Sequence, residues 1–195
     1  MTKAERTRQL IISKSAPIFN TKGVAGTSMS DILDVTKLAK GSLYVHFESK
    51  KELSYAVVDY QLAKLSDVVE TGLNKHQTAK AKLFAYIDTF IDPLDPPLEG
   101  GCPMLNFGME ADDTDEVIRK KVNAVIEGAQ QTIERIIQEG IALGEFKSDW
   151  EPGEFATKLF ALVEGGIMMS RIAGNNKSMK VIARSLKKEI EEKEV

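Results

Sequence analysis

Apolar residues recur every three to four positions along almost the whole chain, and no stretch shows the two-residue alternation of a half-buried strand. That pattern excludes a sheet protein. It leaves an all-α fold of about nine helices, divided by glycine and proline at a few points. The first helix is expected from about Lys3 to Thr21, stopped by Gly23. Pro17 lies inside it, removes one backbone hydrogen bond and should bend the helix near Ser13, because an interior proline costs about 3 kcal/mol.

Helix starts are marked by caps. Ser28 with Asp31 three residues on, and Ser49 with Glu52, have the spacing of capping boxes. The first opens a short second helix. A turn at Lys37-Leu38-Ala39 follows, then a short third helix over Lys40 to Phe47. The second box opens a long fourth helix to about Thr71. A fifth helix carries Leu83, Phe84 and Ile87 and ends at Asp92-Pro93. The Pro- and Gly-rich stretch from Asp92 to Pro103 reads as a loop, and Pro103 suits the first turn of a sixth helix. Thr114 is placed to cap a seventh helix that Gly144 closes. An eighth runs from about Pro152 to Ala173, and a ninth from Ser178 to about Glu191.

The net charge of −3 hides an uneven distribution. Residues 1–50 hold eight basic and four acidic side chains, so that segment is +4 and the remainder −7. A basic head on an acidic body fits a polyanion partner for the head. No run is long enough to span a membrane, and the amino terminus is charged at once, unlike a secretory leader. With Cys102 as the sole cysteine, a cytoplasmic home is expected. His46 and His76 are the only histidines. No metal-ligand cluster and no phosphate-cradling glycine loop is found, so neither an enzyme nor a cofactor or metal site is expected.

The most informative stretch is 26–53, GTSMSDILDVTKLAKGSLYVHFESKKEL. It reads as two short helices joined by a tight turn, followed by a capped long helix, an arrangement whose second helix can lie in a major groove. Leu43 and Phe47 are four residues apart and should face inward. Ser42, Tyr44 and His46 offer hydrogen bonds, Lys40 and Lys50 charge, Gly41 close backbone approach, and Val45 a partner for a thymine methyl. The helix starts at Thr27-Ser28 and Ser49-Lys50 present amides and hydroxyls suited to phosphate.

This segment closely resembles the TetR family of bacterial repressors, through Gly23, Thr27, Ser28, Asp31, Ile32, Lys40, Gly41, Leu43, Tyr44, His46, Phe47, Lys50 and Leu53. The match covers about the first 60 residues, and beyond them only helix number and layout agree. The resemblance implies a helix-turn-helix DNA-binding domain over 1–48 and a ligand-sensing and dimerisation domain over 49–195. It implies phosphate contacts for Thr27, Tyr44, His46 and Lys50, and base contacts for Lys40, Ser42 and Val45. The implied partners are a near-palindromic double-stranded operator, a second copy of the chain and a small-molecule effector.

The family's dimer forms through its last two helices. Gly165-Gly166 in the middle of the eighth helix agrees, since each costs about 1 kcal/mol against alanine unless another helix must come close. Leu159, Leu162, Val163, Ile167 and Met168, with Val181, Ile182 and Leu186 on the ninth helix, complete the expected interface. The resemblance also implies an effector pocket, for which Tyr60, Tyr86, Phe90, Met104, Phe107, Met109, Trp150, Phe160 and Met169 are the candidates. Glu110 and Glu164 are the nearest titratable groups, so the effector should be mostly apolar or aromatic. Cys102, at the expected start of a helix that would lower its thiol pKa, raises the alternative of an oxidant- or electrophile-sensing repressor.

Overall fold

The computed structural model describes all 195 residues and contains nine helices: α1 Lys3–Gly26, α2 Met29–Thr36, α3 Lys40–Tyr44, α4 Lys50–Leu73, α5 Ala79–Thr89, α6 Pro103–Ala111, α7 Glu116–Ala142, α8 Pro152–Ala173 and α9 Lys177–Glu192. The only extended pairing is a single bridge between Phe146 and Glu194. None of the helices is long and apolar enough to cross a membrane. The chain divides into two compact units, one of residues 1–65 and 98–124, the other of residues 66–97 and 125–195.

The first unit holds α1 to α3, most of α4, α6 and the start of α7. Its core includes Ile11, Ala16, Phe19, Ile32, Leu43, Phe47, Leu53 and Val57, all buried, with Asn20 and Thr27 buried among the polar residues. α1 packs on both α2 and α6. Contrary to the sequence expectation, the backbone keeps helical angles past Ser13 and Pro17. The break comes at Gly23 (φ 77°, ψ 171°), a conformation that glycine adopts without a Cβ penalty. Ser28 closes the expected box, its hydroxyl accepting from the Asp31 amide at 3.1 Å while Asp31 accepts from the Ser28 amide at 2.8 Å. Lys37 ends α2 in the left-handed region (φ 57°), its amide donating to the Leu33 carbonyl at 2.8 Å. α7 is capped by Asp115, which accepts from the Val117 and Ile118 amides at 3.0 and 3.1 Å. The expected cap, Thr114, instead donates its hydroxyl to the Glu110 carbonyl at 2.5 Å.

The second unit packs α8 on α9 and α5 on α9. Phe146, Trp150 and Phe155 stack edge to face, with centroids 4.8 Å apart in each pair, where α7 turns into α8. The carboxy terminus returns to this corner, the Lys147 amide donating to the Lys193 carbonyl at 2.9 Å. Glu145 reaches the start of α5, accepting from the Ala79 amide at 2.8 Å.

Candidate nucleic-acid interface

α3 is five residues long and too short to be stable alone, so its position depends on anchors. Leu43 and Phe47 are both buried, and Arg8 lies over the Phe47 ring at 4.4 Å from its centroid. The Ala39 carbonyl accepts from the Ser42 and Leu43 amides at 2.9 and 3.2 Å, which starts the helix without a side-chain cap. With those two residues inside, Lys40, Gly41, Tyr44 and Val45 point to solvent, and Ser42 and His46 are half-buried. Val45 is 80% exposed, a bare isopropyl group for which the chain provides no cover. A Cβ built on Gly41 would meet nothing within 4 Å, so packing does not require glycine there. What the glycine supplies is bare backbone at the exposed first turn of α3.

Three expected phosphate contacts look different in the structure. Thr27 is fully buried, and its hydroxyl donates to the Gly23 carbonyl at 2.6 Å, so the side chain is withdrawn from any duplex. Lys50 is folded inward: its ammonium donates to the carbonyls of Val24 and Thr27, both at 2.9 Å, and braces the turn between α1 and α2. Ser28 stays exposed, but the α2 start already holds a carboxylate, since Asp31 takes both the amide and the hydroxyl of Ser28. The Lys22 ammonium at 2.8 Å, with the Ser28 amide and hydroxyl, holds the Asp31 carboxyl well below the usual carboxylate range. Ser49 accepts from the Glu52 amide at 3.1 Å, while Glu52 returns to the Glu48 amide at 2.8 Å. A groove of about 370 Å³ runs along Tyr44 to Ser49 and Glu52.

The other candidate residues divide between the units. Of the pocket candidates, Tyr60, Met104, Phe107 and Met109 belong to the first, and Tyr86, Phe90, Trp150, Phe160 and Met169 to the second. Met104, Phe107, Tyr86, Phe90, Trp150 and Phe160 are buried and Tyr60 is half-buried. Met109 and Met169 are exposed, which removes them from any enclosed lining. Trp150 is held in the aromatic stack at the α7–α8 corner. Cys102 directly precedes α6, as expected, and its side chain is buried.

The interface candidates separate in the same way. Leu159, Val163, Ile167 and Leu186 are buried within the protomer's own core. Gly166 serves the α8–α9 contact of one chain, because a Cβ there would lie 2.6 Å from the Met179 sulfur and 3.1 Å from Ile182 Cδ1. Gly165 faces open space. Leu162, Met168 and Val181 are exposed and Ile182 is half-buried. Sequence reasoning missed Ile172, which is 81% exposed near the end of α8. It also missed the grip of Glu110 on the Val24 and Ala25 amides, 86 and 85 residues away, for which no local pattern gives a signal.

Comparison with known proteins agrees with this geometry. The model for the tetR family of bacterial regulatory proteins matches residues 11–57, and the model for tetracyclin repressor-like C-terminal domains matches residues 79–186. The HTH-type transcriptional repressor DhaR of a Mycobacterium species is 27% identical over 173 residues, covering 88% of this chain and 86% of its own. A TetR-family regulator from Cytophaga hutchinsonii superposes with a TM-score of 0.94 at 36% identity, covering 100% of this chain and 98% of its own. One from Chloroflexus aurantiacus gives 0.93 at 36% identity, with the same coverage. With α3 exposed on a helix-turn-helix and family models covering both parts of the sequence, the chain belongs to the TetR family of DNA-binding transcriptional regulators, which are not enzymes.

Proposed function

We propose that the protein is a cytoplasmic repressor that holds a near-palindromic operator as a homodimer and releases it when a small, mostly apolar or aromatic effector binds. Residues 1–48 read DNA, and residues 49–195 sense the effector and pair the protomers. The observation that carries this reading is the exposed edge of α3, where Lys40, Gly41, Tyr44 and Val45 face outward while Leu43 and Phe47 fix the helix. Lys40, Ser42 and Val45 read base edges, and Tyr44 and His46 fix the register on phosphate. Ser28 reaches phosphate through its exposed edge. Lys50 and Thr27 act from behind by shaping the turn.

The pairing surface is an apolar stripe on α8, made of Leu162, Met169 and Ile172 around the open side of Gly165, together with the exposed Val181 of α9. An exposed apolar patch of this kind marks a contact surface. Pairing there would set two reading helices about 34–36 Å apart, one turn of DNA. The buried aromatic side chains Tyr86, Phe90 and Phe160 of the second unit favour an apolar effector.

A gel shift against the chain's own upstream region tests operator binding, with affinity falling steeply as salt rises. Thermal-shift screening with aromatic and aliphatic compounds tests the effector, since one present at about 100 times its Kd adds about 2.7 kcal/mol. Sedimentation of an Ile172→Glu, Val181→Glu double variant tests the pairing. A melting temperature that no compound raises argues against sensing, and a dimer that survives both charges argues against this surface.

A further inference from the structure

The break at Gly23 frees the next amides from the α1 ladder, and α6 takes them up. Glu110 accepts from the Val24 amide at 2.7 Å with one carboxylate oxygen and from the Ala25 amide at 2.6 Å with the other. The fit depends on glycine, because a Cβ on Gly23 would lie 2.7 Å from Glu110 Oε2. A second hold lies one turn earlier. Asn106 of α6 donates to the Asn20 carbonyl at 2.9 Å, and the buried Asn20 donates to the carbonyls of Glu99 and Gly101 at 2.8 and 3.0 Å. On the far side of the same turn, Lys50 holds the Val24 and Thr27 carbonyls. The segment that hands α1 over to α2 is therefore gripped by a carboxylate from α6 and an ammonium from α4.

We propose that Glu110 is a positioning residue for DNA binding: through its bidentate grip on Val24 and Ala25, α6 sets the angle of α2 and α3 and so the operator affinity. The inference rests on DNA binding alone and not on any effector. Glu110 touches no reading residue, so it acts through the backbone of the turn. Both oxygens are needed. A glutamine in its place keeps one acceptor and turns an amide donor against a backbone N–H. An aspartate keeps the charge and loses a methylene of reach.

The test uses the full chain and the duplex that the wild type selects from a random pool. Glu110→Gln and Glu110→Asp are each compared with wild type for operator affinity, for the salt dependence of that affinity, and for hydrogen exchange at the Val24 and Ala25 amides. Both variants are expected to bind about tenfold more weakly, within the range usual for coupling between sites. The salt slope should not change, since every phosphate ligand is still in place, and the two amides should exchange faster. Affinity within twofold of wild type in a folded variant whose two amides exchange faster overturns the proposal. So does fast exchange of these amides in the wild type, which leaves no grip to lose. Should the glutamine variant fail to fold, the aspartate variant carries the same comparison. A wild type that selects no duplex counts against DNA binding itself, and the exchange measurement still decides the grip.

Discussion

Replacing Lys50 with methionine distinguishes two accounts of that residue. The methionine keeps most of the aliphatic stem and removes the ammonium that donates to the Val24 and Thr27 carbonyls, both at 2.9 Å. A hydrogen bond to a charged group contributes about 1.5–3 kcal/mol. One ammonium here serves two carbonyls, and removing a partly buried charge returns some desolvation cost. We expect a net loss of about 2 kcal/mol, which lowers the melting temperature by roughly 4–8 °C in a chain of this size. Operator affinity should fall because the turn into α2 loosens. The slope of log affinity against log salt should stay as in the wild type, because the ammonium is not on phosphate. Circular dichroism melts and operator titrations between about 50 and 200 mM salt supply both quantities. Each phosphate that a lysine neutralises adds about 0.9 to that slope. An unchanged melting temperature with a slope shallower by that amount would refute the bracing role and restore Lys50 as a phosphate ligand.

Three further outcomes follow from packing and charge. A Cβ on Gly140 would lie 2.6 Å from Phe146 Cε2 and 2.7 Å from Ala79 Cβ, whereas one on Gly128 would meet nothing within 4 Å. Gly140→Ala should therefore cost about 1–3 kcal/mol and Gly128→Ala should gain up to about 1 kcal/mol in chemical denaturation, and equal shifts would contradict the α7 packing. Asp31 keeps its charge in the folded state after the unfolded chain has taken up a proton, so its contribution is complete above about pH 4 and is lost as pH falls further. Asp31→Asn should flatten the acid side of the melting-temperature profile, and an unaltered acid limb would remove the Lys22–Asp31–Ser28 cluster from the account. Val45→Ala should leave stability within about 0.5 kcal/mol, since the side chain is exposed. It should weaken operator binding more than non-specific binding, and equal weakening of both would take Val45 off the bases.

The helices were legible because their signals are local. Ser28 with Asp31 reads as a box and forms one, and the Leu43 and Phe47 spacing predicts the buried side of α3 that the structure shows. Interactions that depend on reach were not legible. The pattern places Thr27 and Lys50 at helix starts, but only the fold shows Thr27 bonding back to Gly23 and Lys50 turning into the α1–α2 turn. Thr114 and Asp115 are adjacent and both able to cap, and the choice went to Asp115 because Thr114 finds the Glu110 carbonyl. Gly165 and Gly166 differ by about 100° around α8, which puts one in open space and the other against Met179. Glu110 had no sequence signal, because its partners are the amides of a turn far away in the chain.

The most direct test of DNA reading by α3 removes the outward face of that helix and leaves its anchors. The full-length protein with Lys40→Ala and Tyr44→Ala together, both exposed positions, should melt close to wild type. Footprinting of the selected operator should then show no protected site at concentrations where the wild type protects two half-sites one DNA turn apart. A footprint of unchanged position and affinity from that folded variant would mean that another surface of the chain reads the DNA.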